Sequence, residues 1–520
     1  MFAAASMAFC AHAADADIRF RVHEYVVVGD AQIPTETLHR ALDRYTGAQV
    51  DFATIRQAAA ALQALYADAG HGAAQVSIPE QDISGGAVRL AVFEPKLGRV
   101  SIIGNQHFDE ANIRASLPAL KEGMPPDLQA IATSARLGND NYAKQTQVSF
   151  RQGENERLLD ATVRVADSAP VRQVVTLDNT GTGPTGTTRI GYAFQHANLF
   201  NTDHVLTGQY VTSPTHLRDV TILGASYRVP FYRIGGALDF SASYANVNSG
   251  VVPTTAGSYG ISGSGEVYGV RYTQLLPRIG AWDQRASFGY DYRYYRNNVT
   301  PQGGQDSLVP NFVAQPLTLG YSGFMAESQR EWRASASLSQ NLAGGGLDSS
   351  AAYQAPGGRA GASASFRVLR YSGFMRRPVI ADWLLQAQLD GQYSADALIP
   401  GEQFGIGGVD SVRGFNEREI INDRGYRASV EAQTPDFGKS LSANGMQARA
   451  LAFYDMGRAQ RNHALPGERQ HVAISSAGLG LRMMLPNRAQ LRVDYAQVLQ
   501  GGGVRAEGDR KLHANLTLMF

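Results

Sequence analysis

A period of two in the side chains constrains the fold most strongly, and it runs through the last two thirds of the chain. After Pro170, segments of about ten residues alternate apolar with polar side chains, with Gly, Asn, Asp, Ser and Pro between them. Residues 332–339 and 489–495 are clear examples. Successive side chains of a strand point to opposite sides, so each segment predicts a strand with one apolar face. A transmembrane barrel requires such strands, although a soluble sandwich also buries apolar faces.

The number of these segments favours a closed barrel. Sixteen candidate strands begin near Arg172, Thr187, Asp203, Arg218, Gly235, Ser264, Trp282, Asn311, Gln329, Gly361, Ala381, Arg424, Gly445, His471, Arg488 and Lys511. An even number lets a single chain close without an open edge and brings both ends of the barrel to the same side. We therefore predict a 16-stranded antiparallel transmembrane β-barrel over residues 170–520.

Residues 18–166 differ, because helical spacing alternates there with short strands. They predict two copies of one β-α-α-β-β unit, with a Gly-polar dipeptide after the first strand of each copy, at 29–30 and 104–105. The first copy has strands at 20–28, 74–78 and 87–93, with helices at 35–45 and after Asp51. The second has strands at 99–103, 145–150 and 158–165, with helices from Asp109 and over 125–137. We predict two small α+β modules, at 18–95 and 96–168.

The N-terminus has the features of a secretory signal over residues 1–13. An apolar run leads to Ala-His-Ala at 11–13 and then to acidic residues. No Lys or Arg precedes Arg19, so the alternatives are a truncated signal and a merely apolar terminus. Cys10 is the only cysteine, and its removal with the signal would exclude disulfides, thiolate zinc sites and thiol nucleophiles.

Other chemistry finds little support. The net charge of +1 and the absence of a basic stripe argue against nucleic acid as a partner. The Gly-rich run 181–186 matches a dinucleotide-loop pattern, but it joins two predicted strands and no helix follows it. His196 and His204 lie near Asp203 without a placed serine nucleophile. We expect no cofactor, no metal and no enzymatic activity.

A long insertion at 397–423 separates the eleventh and twelfth predicted strands, and it is the sixth outer loop if the modules lie on the inner side. It contains the motif Val412, Arg413, Gly414 and Phe415. On the thirteenth strand Asp455 has the parity of Arg449, opposite to Ala448, so it should face the lumen. Glu431 has lumenal parity on the twelfth strand and is a rival partner for Arg413.

These motifs resemble the TpsB transporters of two-partner secretion, of the ShlB/FhaC/HecB type, within the POTRA-plus-barrel superfamily that includes BamA. The resemblance covers nearly all of the predicted mature chain. It rests on the loop motif, on Phe-Tyr-Asp-Met-Gly at 453–457, and on the runs 78–83, 88–90, 101–105 and 177–181. The alternating C-terminus, with Leu516, Leu518 and Phe520, resembles the signal by which outer-membrane barrels are recognised for assembly.

The resemblance implies POTRA modules in the periplasm, a barrel in outer-membrane lipid, and insertion by the barrel-assembly machinery. It also implies that the sixth loop folds back into the barrel and that Arg413 pairs with Asp455. The implied function is secretion of an unfolded large exoprotein of haemolysin, haemagglutinin or adhesin type, without nucleotide hydrolysis. Many relatives carry a plug helix ahead of the first module, but gating by a plug is not expected here, since only about five residues separate the predicted cleavage site from the first strand. A BamA-like assembly factor and a solute porin are the alternatives.

Overall fold

The computed structural model describes residues 19–520 except 31–32, 156, 183–184, 247–249, 255–256, 262–263, 297–309 and 442–444. The predicted signal at 1–13, with Cys10, lies outside the described residues. The chain divides into two compact units. Within the described residues, the first comprises the chain up to Asn105, Ile113–Arg136 and Thr146–Ala166, and the second Gln106–Asn112, Leu137–Gln145 and Asp167–Phe520.

The first α+β module has five strands and two helices: β1 (Arg19–Val22), β2 (Glu24–Gly29), α1 (Thr35–Leu42), β3 (Gly47–Asp51), α2 (Phe52–Asp68), β4 (Gln75–Ser77) and β5 (Ala87–Phe93). β2, β5 and β4 form one sheet, and β1 pairs with β3. Helix α2 begins where the Asp51 carboxylate accepts a hydrogen bond from Thr54 N at 2.7 Å. Its Ile55, Leu62 and Tyr66 are buried in the module core.

Two predictions for this module were wrong in detail. The strand predicted over 20–28 is split at His23, so that its first part pairs with β3 rather than with the main sheet. Strand β3 was not predicted, because only its Val50 is buried and the five residues lack an apolar alternation.

The second module repeats the order with β6 (Lys96–Ile103), α3 (Glu110–Ser116), α4 (Leu128–Gly138), β7 (Lys144–Gln152) and β8 (Leu158–Asp167). Its sheet has the order β6-β8-β7. Helix α4 begins three residues later than the predicted Pro125, because Asp127 caps it by accepting from Ala130 N at 2.9 Å.

Within the described residues, the remaining strands form the closed barrel and two short hairpins in its loops. In chain order they are β9 (Val171–Asp178), β10 (Arg189–Leu199), β11 (His204–Thr212), β12 (Thr221–Phe231), β13 (Gly236–Asn246), β14 (Gly250–Thr254), β15 (Gly257–Ile261), β16 (Ser264–Leu275), β17 (Asp283–Arg296), β18 (Phe312–Ala314), β19 (Pro316–Glu327), β20 (Arg330–Asn341), β21 (Arg367–Pro378), β22 (Leu384–Tyr393), β23 (Phe404–Ile406), β24 (Ile420–Asn422), β25 (Arg424–Gln433), β26 (Gln447–Gln460), β27 (His471–Leu485), β28 (Ala489–Gln500) and β29 (Arg510–Met519).

The barrel is closed, because β9 pairs with both β10 and β29. β18 and β19 follow one another along β17, so they occupy a single position, and β14–β15 and β23–β24 are separate hairpins. The 16-stranded antiparallel barrel after two α+β modules is thereby confirmed. No helix of the described residues is long and apolar enough to cross a membrane.

One predicted strand start was displaced. The strand expected from Gly361 begins at Arg367, because 342–366 forms the fifth outer loop with helix α5 (Ser350–Tyr353). The Ala-Ser alternation at 362–366 imitates a strand, but Ala362, Ala364 and Phe366 are buried against Tyr353 in a loop cluster.

The two faces of the barrel strands follow the predicted parity. Leu319, Leu338 and Leu479 are 61%, 50% and 66% exposed, although they lie in the middle of strands. Apolar side chains so placed require lipid around the barrel.

Candidate functional site in the barrel lumen

The sixth outer loop, 394–423, lies between β22 and β25 and folds into the lumen. Its β23 and β24 pair as a short hairpin, and the tip of the loop follows β23. Gly414 in the tip has a φ of +94°, a left-handed conformation that L side chains rarely adopt. Its N–H donates to His513 Nε2 at 2.9 Å, which joins the tip to the last strand.

Arg413 lies in this tip and is only 2% exposed. Its Nε donates to Asp455 Oδ2 at 2.7 Å, and its Nη2 donates to Asp455 Oδ1 at 2.8 Å. The backbone N–H of Arg413 also donates to Asp455 Oδ2, at 3.1 Å. This bidentate pair with a third hydrogen bond fixes both the side chain and the backbone of the tip to β26.

Glu431, the rival partner predicted from the sequence, also contacts Arg413. Arg413 Nη1 donates to Glu431 Oε1 at 2.7 Å and lies 3.4 Å from Asp494 Oδ1. Glu431 and Asp455 are therefore joint partners rather than alternatives. Asp494 was not singled out in the sequence, although the alternation of 489–495 had already placed it on the polar face of its strand.

The charges around Arg413 are balanced by two further arginines. Arg482 Nη1 lies 2.8 Å from Asp494, and Arg492 lies 3.1 Å from Asp494 and 2.6 Å from Asp410. The guanidinium of Arg413 also lies over the Phe453 ring, 3.4 Å from its centroid.

Burial alone would lower the pKa of Arg413, but its hydrogen bond to Asp455 and the neighbouring carboxylates raise the pKa above its ordinary value. Arg413 is therefore charged, as an arginine side chain ordinarily is. Removing one partner of such a buried pair costs about 3–5 kcal/mol, because the other charge is left without compensation.

Apolar contacts complete the attachment of the tip. Val412 and Phe415 are fully buried in a cluster with Ile406, Ile420, Ala459, Ile474 and Val498. These residues belong to the loop hairpin and to β26, β27 and β28. The whole loop motif therefore packs on one side of the lumen, against the strands β25–β29.

The other residues considered in the sequence have local partners. Leu516 and Leu518 face Leu177 and Val175 across the seam between β29 and β9. Phe520 exchanges backbone hydrogen bonds with Gln173, at 2.9 and 3.1 Å. Their role as an assembly signal stays a prediction.

The Gly-rich run 181–186 and the residues Asp203 and His204, considered in the sequence as a nucleotide loop and a catalytic group, make contacts within the protein. The described part of the Gly-rich run joins β9 to β10, and Arg189 donates to Gly186 O at 2.6 Å within it. Asp203, within the second unit, accepts hydrogen bonds from Lys144, Asn112 and Tyr232. His204 Nδ1 lies 2.6 Å from the Tyr227 hydroxyl.

Two modules of α+β type and a closed barrel whose sixth loop carries Val-Arg-Gly-Phe into the lumen define a POTRA-plus-barrel protein of the outer membrane. The family model of the haemolysin secretion/activation protein ShlB/FhaC/HecB matches residues 160–483, which is more than half of the chain. The model of the ShlB-type POTRA domain matches residues 20–95. The chain belongs to the ShlB/FhaC/HecB family, the TpsB transporters.

Curated relatives and solved structures agree. The chain is 24% identical over 374 residues to the outer membrane transporter CdiB of Dickeya dadantii, a match to 69% of this chain and 62% of that protein. The CdiB of Escherichia coli is 22% identical over 433 residues, covering 78% of this chain and 67% of that protein. The chain thus spans about two thirds of the length of these relatives.

The structure of CdiB from Escherichia coli matches with a TM-score of 0.77 and 18% identity, covering 98% of this chain and 92% of that chain. BamA from Haemophilus ducreyi lacking POTRA domains 1–3 matches with a TM-score of 0.52 and 15% identity, over 96% and 100%. The barrel lies in the outer membrane, and the POTRA modules lie in the periplasm, as predicted.

Proposed function

We propose that this protein is a secretion pore that moves an unfolded large exoprotein, of haemolysin, haemagglutinin or adhesin type, from the periplasm to the cell surface. The observation that carries the proposal is the attachment of the family's loop motif inside the lumen through Arg413, Asp455 and Glu431. A solute porin needs neither this loop contact nor the POTRA modules.

The size of the lumen supports passage of an extended chain. A 16-stranded barrel encloses an aqueous channel, but a folded domain of 100 residues has a radius of gyration of about 13 Å. The sixth loop further divides this lumen and leaves cavities of about 910 and 560 Å³. Cargo therefore passes unfolded, and its folding outside the cell is the proposed driving force in place of nucleotide hydrolysis. The protein itself acts as a transporter and not as an enzyme.

Strand addition to a POTRA sheet is the proposed way of capturing cargo, since main-chain hydrogen bonds accept many sequences. The edge of β4 is already occupied, because Gln63 Oε1 accepts from Val76 N at 2.8 Å. The edge of β6 is covered too. Val100 N donates to the Glu122 carboxylate at 3.0 Å, Leu97 N donates to Met124 O at 2.9 Å, and Gly123 N donates to Leu97 O at 2.7 Å. β7, with nine residues, is the longest edge strand of the two sheets and the preferred candidate.

The test is the surface appearance of a large exoprotein produced in the same cells as the native chain, Arg413→Ala or Arg333→Ala. Arg333 is the matched control, because it also faces the lumen but binds Glu331 on its own strand. We expect the native chain and Arg333→Ala to export and Arg413→Ala to fail, while all three barrels assemble.

Equal export by Arg413→Ala would contradict the proposed role of the loop motif. If a series of candidate exoproteins stays inside cells carrying the native chain, the secretion proposal fails. Loss of other outer-membrane proteins on depletion would then favour an assembly factor.

A further inference from the structure

A second buried ion pair holds the sixth loop at a place remote from Arg413. Glu402 ends a single 3₁₀ turn, Pro400–Glu402, and is 1% exposed. Arg293 Nη1 donates to both Glu402 oxygens at 2.8 Å, and Arg370 Nη2 donates to Oε2 at 3.3 Å. The Tyr295 hydroxyl donates to Oε1 at 2.8 Å. We call Arg293, Tyr295 and Arg370 the Glu402 cage.

The carboxylate is ionised in this cage. Burial alone would raise the pKa of Glu402, but the charges of Arg293 and Arg370 lower it below its ordinary value. Gln392 Nε2 adds a contact to the backbone, because it donates to Glu402 O at 2.9 Å.

The Glu402 cage and the Arg413 partners lie on separate parts of the barrel wall. The cage residues are on β17 and β21, the seventh and tenth of the 16 barrel positions. The carboxylates that bind Arg413 are on β25, β26 and β28, the twelfth, thirteenth and fifteenth positions. The sixth loop is therefore attached to the wall at two separate places, and Arg293 and Asp494, eight positions apart, face each other across the lumen.

The two attachments differ in kind. The tip is held by Arg413, by its own backbone and by the apolar packing of Val412 and Phe415 on three strands. On the other side the Glu402 carboxylate supplies the ion pairs, and the preceding Leu398 and Ile399 are buried in an apolar cluster with Tyr295 and Tyr353. A cavity of about 560 Å³ adjoins the Glu402 side, lined by the Glu402 cage and by loop residues including Gly401, Gln403 and Gly405.

We propose that Glu402 is a positioning residue that keeps the sixth loop across the lumen, and that its departure from the cage opens the outward path while Arg413 stays bound. The inference rests on the proposed secretion function. A passing extended chain can replace Glu402 through its own carbonyl and carboxylate oxygens, which are acceptors for the freed arginines. Asp291, 2.7 Å from Arg293, remains as a partner when Glu402 leaves.

The first test measures ion conductance in planar bilayers with potassium chloride alone. Glu402→Gln keeps the size of the side chain but loses the charged hydrogen bonds, so the fraction of time spent open should rise about tenfold or more. Glu331→Gln is the matched control, since Glu331 faces the lumen and binds Arg376 at 2.9 Å without touching the loop. An unchanged open fraction for a correctly assembled Glu402→Gln barrel would overturn the proposal.

The second test locks each side in turn, in a chain with Cys10→Ser so that no natural cysteine remains. A Cβ built on Gly457 lies 3.3 Å from Ile406 Cβ, a few tenths of an ångström short of the separation in disulfides. A small shift of the hairpin therefore lets Ile406→Cys with Gly457→Cys form a disulfide that fixes the hairpin to β26. Glu402→Cys with Arg370→Cys, bridged by a short reducible bifunctional thiol reagent, fixes the Glu402 side.

We expect the lock on β26 to leave export intact. The bridged Glu402 lock should abolish both conductance and export until the bridge is reduced. The same double variant without reagent should conduct like Glu402→Gln. Export through the bridged Glu402 lock, or its loss with the β26 lock, would overturn the proposal. Because conductance needs no cargo, the expected conductances without any export by the native chain would instead count against the secretion function.

Discussion

The two walls of the lumen carry different side chains where the sixth loop crosses. The wall of β25–β28, which we call the holding wall, presents charged groups that contact the tip, namely Glu431, Asp455 and Asp494. The wall of β19–β21, which we call the open wall, presents mainly hydroxyl groups and glycine beside the second cavity, together with Arg370 of the Glu402 cage and the ion pairs of Glu331 with Arg333 and Arg376. Gly320 pairs with Ser337, Ser322 with Ser335, and Thr318 with Ser339. One wall is thus built to hold the loop, and the other leaves space beside it.

The difference assigns two tasks to one barrel. Buried charges need a fixed partner, so Glu431 and Asp455 on the β25–β28 wall need the loop tip in place. Hydroxyl groups need no such partner, since neighbouring hydroxyls or water satisfy them, as in the 2.9 Å contact between Thr318 and Ser339. A polypeptide can pass the hydroxyl-bearing part of the open wall without breaking ion pairs, apart from those of the Glu402 cage.

The largest effect is expected on the holding wall. Arg413→Ala leaves the Asp455, Glu431 and Asp494 carboxylates partly uncompensated, so we expect a loss of about 3–5 kcal/mol in the stability of the closed loop. Arg413→Lys should recover only part, because an ammonium group cannot form the bidentate pair. The measurement is protease cleavage of the loop in assembled barrels, with Arg333→Ala as control. Native-like resistance of Arg413→Ala would show that the charges do not hold the loop.

On the open wall, a bulky substitution should affect passage and not stability. Ser337→Trp adds volume beside the 560 Å³ cavity that Ser337 lines, without removing an ion pair. In a Glu402→Gln background we expect a severalfold lower conductance and unchanged protease resistance of the loop. Ala336→Trp, one residue away on the lipid face, is the control. Equal conductance of the Ser337→Trp and Ala336→Trp variants would contradict the proposal that the open wall borders the path of passage.

The sequence predicts which strand residues face the lumen better than it predicts the contacts of the sixth loop inside it. Lipid imposes a period of two on every strand, so the lumenal parity of Glu431, Asp455 and Asp494 follows from the alternation of residue types alone. Arg413 was predicted by the resemblance of its loop motif to that of the TpsB transporters. The Glu402 cage had no such signal, because Arg293 lies 109 residues before Glu402 and no local spacing links them.

The same limit explains the displaced elements. The Ala-Ser alternation before Arg367 obeys the strand period, yet tertiary packing around Tyr353 buries it in a loop. Strand β3 obeys no period and forms because β1 supplies its hydrogen bonds. The period of apolar residues shows whether one face of a segment lies against lipid or a core. It does not predict a segment whose structure depends on a few particular contacts, as at 362–366 and in β3.

The smallest effect, on pH dependence, concerns the tip on the holding wall. Burial raises the pKa of Glu417 from 4.5 to about 7, and Asp410 adds to the rise although the Val409 N–H and Lys511 oppose it. A carboxyl group with a raised pKa favours the closed loop when protonated. This contribution is complete below about pH 4.5 and is lost as the pH rises to about 7.

The closed loop should therefore be weaker at pH 8 than at pH 6, and the conductance of the native barrel should rise over that interval. Glu417→Gln resembles the protonated form at every pH, so it should remove the rise, whereas Glu507→Gln on an exposed outer loop should keep it. If the conductance of Glu417→Gln still rises between pH 6 and pH 8, another residue is the titrating group. A conductance independent of pH would mean that the holding wall keeps the tip in place by its arginine and apolar contacts alone.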